Sequence, residues 1–87
     1  MTFASPELLF FGMLAGQEGN WRQGVRLISA ALKIDPMLLE RLDRDEQADR
    51  TACLAAAGKI LGEAEFARAW AEGQAMTATD AIAAALR

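Results

Sequence analysis

The chain has 87 residues, 53% of them hydrophobic and 24% charged, a composition typical of one folded domain and unlike that of a disordered segment. Its net charge of −3 argues against nucleic acid as a direct partner, because affinity for phosphates begins with positive charge. With one cysteine and no histidine, an internal disulfide is excluded and the usual metal clusters are not expected. We expect Cys53 to be a small buried hydrophobe.

The first predicted helix runs from Pro6 to about Gln17. Serine is a favoured N-cap residue, so Ser5 is expected to cap this helix. Pro6 suits the first helical position, where its missing N–H is not needed. Gly16 and Gly19 are expected to close this helix by adopting the left-handed conformation. The apolar run inside it is far shorter than the roughly 20 residues that cross a bilayer, so we expect no membrane segment and a cytoplasmic location.

The second predicted helix follows Asn20, with Gln23 three residues later to complete a capping box. Asp35 and Pro36 should end it, because the residue before a proline disfavours helix. A single apolar stripe with steps of three and four residues is expected to face a neighbouring helix. The stripe consists of Trp21, Val25, Ile28 and Leu32.

A short helical stretch is predicted over Met37–Leu42, followed by a third helix from around Asp45 to Leu61, and the pattern leaves open whether the two join. Both signs of charge are dense between residues 40 and 50. Pairs four residues apart with the acid first favour a helix. Those pairs are Glu40/Arg44 and Glu46/Arg50.

The end of the chain predicts two more helices. Gly62 should separate the third helix from a fourth over Glu63–Glu72, which Gly73 should end. Thr77 then has Asp80 three residues later, the signature of a capping box for a fifth helix. The buried edge of that helix is expected at Ile82 and Leu86.

No window alternates with a period of two, so the prediction is an all-α domain of about five short helices over residues 1–87. It divides into a helical hairpin at 8–36, connecting helices at 37–61 and a C-terminal capping hairpin at 62–87. Phe66 and Trp70, one turn apart among alanines, are expected to fill a gap against the third helix.

The residues offer little chemistry. Asp43–Asp49 has acids at calcium-loop spacing, but Ala48 stands where the loop needs glycine and Leu54 where it needs glutamate. Ser5 and Ser29 have no activating partner in the sequence. We therefore predict no catalytic, cofactor-binding or metal-binding residue, and no enzyme.

A DNA-binding helix-turn-helix is the alternative for the last hairpin. A recognition helix needs basic or amide side chains, and residues 78–87 offer Arg87 alone, at their far end. This alternative is disfavoured.

The stretch Leu8–Pro36 resembles a tetratricopeptide repeat, a helical hairpin that stacks into superhelical arrays. Ala15 and Gly24 depart from the pattern, standing where an aromatic residue and an alanine are common. The matching positions are Leu8, Phe11, Gly12, Gly19, Ile28, Ala31 and Pro36.

The tail LGEAEFARAWAEGQAMTATDAIAAAL resembles the extreme C terminus of large bacterial ATP-dependent regulators of the STAND class, including LuxR-type transcriptional activators. The matching positions are Leu61, Gly62, Phe66, Trp70, Gly73, Thr77 and Ala81–Leu86. The phosphate-binding pattern GxxxxGK[ST] does not occur in the chain. The resemblance therefore implies only the role of the repeat array, which is sensing or docking through helix surfaces.

Together these patterns favour a non-catalytic protein–protein interaction module of a bacterial signalling or transcription regulator. Its partner would be another protein or preceding helical repeats, and a homo-oligomer through the first helix is also expected, on a face with Phe3 and Leu9. The candidate interaction residues are Phe10, Met13, Trp21, Arg22 and Arg26. The rival is a sensor that holds an apolar small molecule near Trp21, Met37 and Trp70.

Overall fold

The computed structural model describes residues 4–41 and 43–85, and in these residues it contains six α-helices and no strand. The all-α prediction is confirmed, with one single-turn helix besides five longer ones. In chain order the helices are α1 (Ala4–Gln17), α2 (Trp21–Ile34), α3 (Leu38–Arg41), α4 (Arg44–Leu61), α5 (Glu63–Ala75) and α6 (Ala78–Ala85). Phe3 and Leu86 lie outside the described residues.

Several helix ends are set by the predicted local signals. Asn20 caps α2 by accepting from the backbone N–H of Gln23, and Gly62 separates α4 from α5 with φ +83°. At α6, Thr77 Oγ1 accepts from the Asp80 N–H at 3.1 Å, and Asp80 Oδ2 accepts from the Thr77 N–H at 3.4 Å. These bonds satisfy amide groups that the first turn of a helix leaves unpaired.

Two predictions near helix starts are wrong. α1 begins at Ala4, so Ser5 lies inside the helix instead of capping it. Gln23 does not close the capping box, because its side chain donates to the Ala84 carbonyl of α6 at 3.1 Å. The sequence left open whether α3 and α4 join, and they do not, because Asp43 is extended at the start of α4.

Asp43 also explains why the predicted charge pairs do not form. Its side chain accepts from the Glu46 N–H at 2.8 Å, while Glu46 Oε1 accepts from the Asp43 N–H at 3.1 Å. The Glu46 carboxylate is therefore turned toward the cap, and Arg50 donates to Thr51 instead. The other predicted pair, Glu40/Arg44, is split between two helices.

Two glycines lie where helices pack closely together and do not end a helix, as the sequence pattern had predicted they would. Gly73 was expected to end a helix, but α5 continues to Ala75 and buries it. A Cβ at Gly73 would lie 2.3 Å from the Arg26 carbonyl oxygen of α2. Gly16 likewise lies inside α1, where a Cβ would come within 3.1 Å of both Trp21 and Cys53.

Glycines also set the crossing of α1 and α2, which form an antiparallel hairpin. A Cβ at Gly24 would lie 2.8 Å from the Gly12 carbonyl oxygen, and one at Gly12 would lie 2.8 Å from Ile28 Cγ1. The two backbones therefore meet with no side chain between them. Gly24, which departs from the repeat pattern, is required by this contact.

The core consists of two clusters on either side of α2. The larger joins α1, α2, α3 and α6, and includes Leu8, Leu9, Leu27, Ile28, Leu38 and Ala81. The smaller is formed by Val25, Ala57 and Ala69. Against it pack Phe66 and Trp70, whose rings stack 6.3 Å apart at 11°. The aromatic pair thus packs beside α4, as predicted.

Polar contacts fix α5 along α2. The buried Ser29 hydroxyl donates to the Trp70 carbonyl oxygen at 2.7 Å and accepts from Gln74 Nε2 at 2.9 Å. Because buried polar groups cost free energy unless they are paired, these bonds restrict how α5 can sit on α2. They also leave the Ser29 hydroxyl occupied.

Candidate functional site

The face of α1 that points away from the core is apolar and partly exposed. Phe10 is 60% exposed, Leu14 38% and Phe11 37%, and the rings of Phe10 and Phe11 meet edge to face at 6.2 Å. We call these three residues the apolar ridge. They lie opposite Gly12 and Gly16, which contact α2. A contiguous exposed apolar surface of this kind is typical of interaction sites.

A groove of about 580 Å³ lies between the ridge and α4. Its floor is apolar and includes Met13, Trp21 and Cys53, all half-buried. Glu46 and Asp49 of α4 stand on its border, and both are exposed. We call this the α1–α4 groove.

A second groove of about 670 Å³ lies on the other side of the ridge, between α1, α2 and α6. Phe11 and Leu14 line it together with charged residues of both signs, Glu18, Arg26 and Asp80. Arg26 and Asp80 already bond to Glu72 and Thr77. The apolar ridge therefore separates a mixed polar groove from the more apolar α1–α4 groove.

The structure brings together three of the five residues predicted as an interaction surface. Phe10, Met13 and Trp21 all line the α1–α4 groove. Arg22 and Arg26 lie apart from them and pair with α5: Arg22 with Glu65, and Arg26 Nε with Glu72 Oε1 at 2.7 Å. Leu9, expected on the uncovered face, is buried in the core with 2% of its surface exposed.

Four further residues belong to this site but were not among the predicted interaction residues: Phe11, Leu14, Glu46 and Asp49. Leu14 could have been found, because it stands four residues after Phe10 and so shares its helix face. The acids could not, because their position beside α1 depends on tertiary packing. Their spacing along α4 is the same as that of any solvated helix face.

The three residues of the small-molecule hypothesis do not form one cavity. Trp21 lines the α1–α4 groove, whereas Trp70 lines a shallow apolar depression with Leu54 and Phe66. Met37 is 55% exposed in the turn before α3. The geometry therefore does not favour a ligand held by all three.

Cys53 was expected to be a small buried hydrophobe; it packs against the core but is only half-buried and lines the groove. Burial raises the pKa of its thiol, which lowers the thiolate fraction at neutral pH and with it the reactivity. Within residues 4–41 and 43–85, no group of three acids, cysteines or histidines could hold a metal ion. Among the same residues, no helix has the length and apolar character needed to cross a membrane.

The chain is similar to part of three much longer bacterial proteins. They carry the name "Putative HTH-type transcriptional regulator", one from Mycobacterium bovis and two from strains of Mycobacterium tuberculosis. Each is 36% identical over 74 residues, a stretch that covers 85% of this chain and 8% of the relative. The chain thus spans 8% of the length of these relatives. No protein-family model matches the chain. No solved structure matches it significantly.

Proposed function

We propose that this chain is a non-catalytic docking module, the tetratricopeptide-like C-terminal end of a bacterial transcription or signalling regulator. The observation that carries the proposal is the apolar ridge of Phe10, Phe11 and Leu14, in which Phe10 is mostly exposed and the other two are exposed by more than a third. The names of the mycobacterial relatives support the connection to regulators. The repeat-like pattern of residues 8–36 supports the mode of action.

Leaving the ridge in water costs free energy, and this cost favours docking. Burial of apolar surface contributes about 25 cal/mol per Å², and two phenylalanines with a leucine form a large part of a small interface core. A helical repeat normally buries such a face against its neighbour. The partner is therefore a protein surface, either the preceding helical repeats or a separate chain, and self-association through α1 remains a prediction.

The proposal assigns no chemistry and no direct DNA contact to this segment. Serine is a common catalytic nucleophile, but the Ser29 hydroxyl is buried and hydrogen-bonded to Trp70 and Gln74. The side chains of the ridge are pure hydrocarbon and contain no group that could react. Asp80 at the start of α6 adds negative charge where a recognition helix would approach phosphates. DNA binding by a regulator that contains this module would belong to another part of it.

The test replaces one exposed apolar residue at a time by glutamate. Phe10→Glu should remove most of the binding of an apolar-surface dye and any concentration-dependent association, because it places a charge at the most exposed residue of the ridge. Ile60→Glu is the matched control, since Ile60 is 58% exposed and lies at the far end of α4. Both variants should keep the helical circular dichroism of the wild type.

Dye fluorescence and light scattering at high protein concentration provide the measurements. A strictly monomeric wild type without a dye-binding surface would contradict the proposal. Equal loss in the Phe10 and Ile60 variants would also contradict it, because the surface would then not be localised to α1.

A further inference from the structure

The border of the α1–α4 groove carries charge of one sign. Glu46 and Asp49 line it, and no arginine or lysine does so among the described residues. The part of the chain that the structure describes contains no ion-pair partner for either carboxylate. α1 has no basic residue along its whole length. Glu46 also accepts from the Asp43 N–H at the cap of α4, but no basic side chain that lines the groove balances the charge of the two carboxylates.

The shape of the groove suits a helix. Its lining residues run from Phe10 to Gln17 on α1 and from Glu46 to Ala56 on α4. At 1.5 Å per residue these stretches are roughly 10 and 15 Å long, which matches about two to three turns of a helix packed alongside them. An amphipathic helix could place its apolar stripe on Phe10, Met13 and Trp21.

We propose that the α1–α4 groove binds an amphipathic helix whose apolar stripe is flanked by lysine or arginine. The apolar side chains would cover Phe10, Leu14 and the floor, and the basic side chains would meet Glu46 and Asp49. This inference rests on the proposed docking function and specifies the partner for it. Complementary charge at the rim of an apolar contact chiefly selects the partner and the register.

Two other occupants fit less well. A second copy related by twofold symmetry would bring the acids of one groove toward those of the other, and its α1 has no base to compensate them. An anionic lipid surface would be repelled by Glu46 and Asp49. A separate basic helix meets neither obstacle.

The test uses fluorescent synthetic helical peptides of about 14 residues, with fluorescence anisotropy as the measurement. One peptide has a leucine stripe flanked by lysines, the second has glutamates in place of the lysines, and the third has the lysine peptide's composition in shuffled order. The lysine peptide should bind roughly tenfold more tightly than the glutamate peptide, since two exposed pairs change from attraction to repulsion. The shuffled peptide should bind weakly, and salt should reduce the difference.

Asp49→Lys should remove most of the preference for the lysine peptide over the glutamate peptide without disturbing the cap of α4. Asp45→Lys is the matched control, because it makes the same change of charge on the same helix at an exposed residue that does not line the groove. It should leave the preference nearly intact. Circular dichroism would establish that both variants remain folded.

The outcomes separate this inference from the docking function. If lysine and glutamate peptides bind equally and Phe10→Glu abolishes both, the docking surface stands and the basic helix is wrong. If no peptide binds but the protein associates through Phe10, a second copy is the occupant and the inference fails. If the shuffled peptide binds as well as the patterned one, or if Asp45→Lys acts like Asp49→Lys, the effect is general charge attraction and the inference fails. No peptide binding and no association would overturn both proposals.

Discussion

Replacing Gly73 by alanine is expected to lower the free energy of unfolding by about 1–3 kcal/mol, although alanine favours helix over glycine by up to about 1 kcal/mol. The added Cβ would lie 2.3 Å from the Arg26 carbonyl oxygen and 2.6 Å from Ser29 Cβ. Backbone cannot move aside as the end of a flexible side chain can, so α5 would have to shift away from α2. The Ser29 hydrogen bonds to Trp70 and Gln74 would lengthen as a consequence.

Gly58→Ala is the matched control for this change, because it also replaces a glycine inside a helix. Its Cβ would find its nearest neighbour, Phe66 Cδ2, at 3.9 Å, which is ordinary contact. We expect this variant to be as stable as the wild type or more stable by up to about 1 kcal/mol. Urea unfolding followed by circular dichroism measures both. Equal stability of the two variants would show that Gly73 does not lie at a close contact.

Ile28→Ala is expected to destabilise the protein by about 2–4 kcal/mol, because Ile28 has no exposed surface and lies between α1 and the core. Ile60→Ala removes the same atoms from a side chain that is 58% exposed, and should change stability by less than about 0.5 kcal/mol. Thermal and urea unfolding of the two variants test the difference. Similar losses at both positions would contradict the assignment of the core.

The effect of Ile28→Ala should also depend on Gly12. A Cβ at Gly12 would meet Ile28 Cγ1 at 2.8 Å, and alanine at position 28 removes that atom. Gly12→Ala should therefore lower the free energy of unfolding less in the Ile28→Ala background than in the wild type. In a double-mutant cycle we expect this difference to be about 0.5–2 kcal/mol. Additive effects would mean that the two residues do not touch.

The helix boundaries at Asn20, Gly62 and Thr77 were predictable because their signals are local. Asn20 and Thr77 cap helices through bonds to residues three positions away, and Gly62 supplies a positive φ that other residues avoid. Such geometry is encoded within a few residues, so the sequence pattern suffices to identify it.

The roles of Gly73 and of the two arginines of α2 could not be predicted in the same way. A glycine that ends a helix and a glycine that admits a neighbouring backbone look alike in sequence. The second role depends on Arg26, which lies 47 positions before Gly73. Arg22 and Arg26 likewise pair with Glu65 and Glu72, which are 43 and 46 positions away.

The sequence pattern also could not identify which face of α1 packs against the core. Residues 8–11 are all apolar, so a helical pattern does not distinguish the face that packs from the face that remains uncovered. The structure places Leu8 and Leu9 inside and Phe10 outside. The fold class follows from composition and caps, whereas the position of the ridge follows from how Gly12 and Gly24 cross.

Radical footprinting of Phe10 is the most direct measurement of whether α1 carries a docking surface. Oxidation at this residue would be compared between the isolated chain and the protein as it occurs in its own cells, with Ile60 as the internal reference of similar exposure. The docking account predicts that Phe10 is protected severalfold in cells while Ile60 is not. Equal oxidation of Phe10 in the two preparations would contradict it.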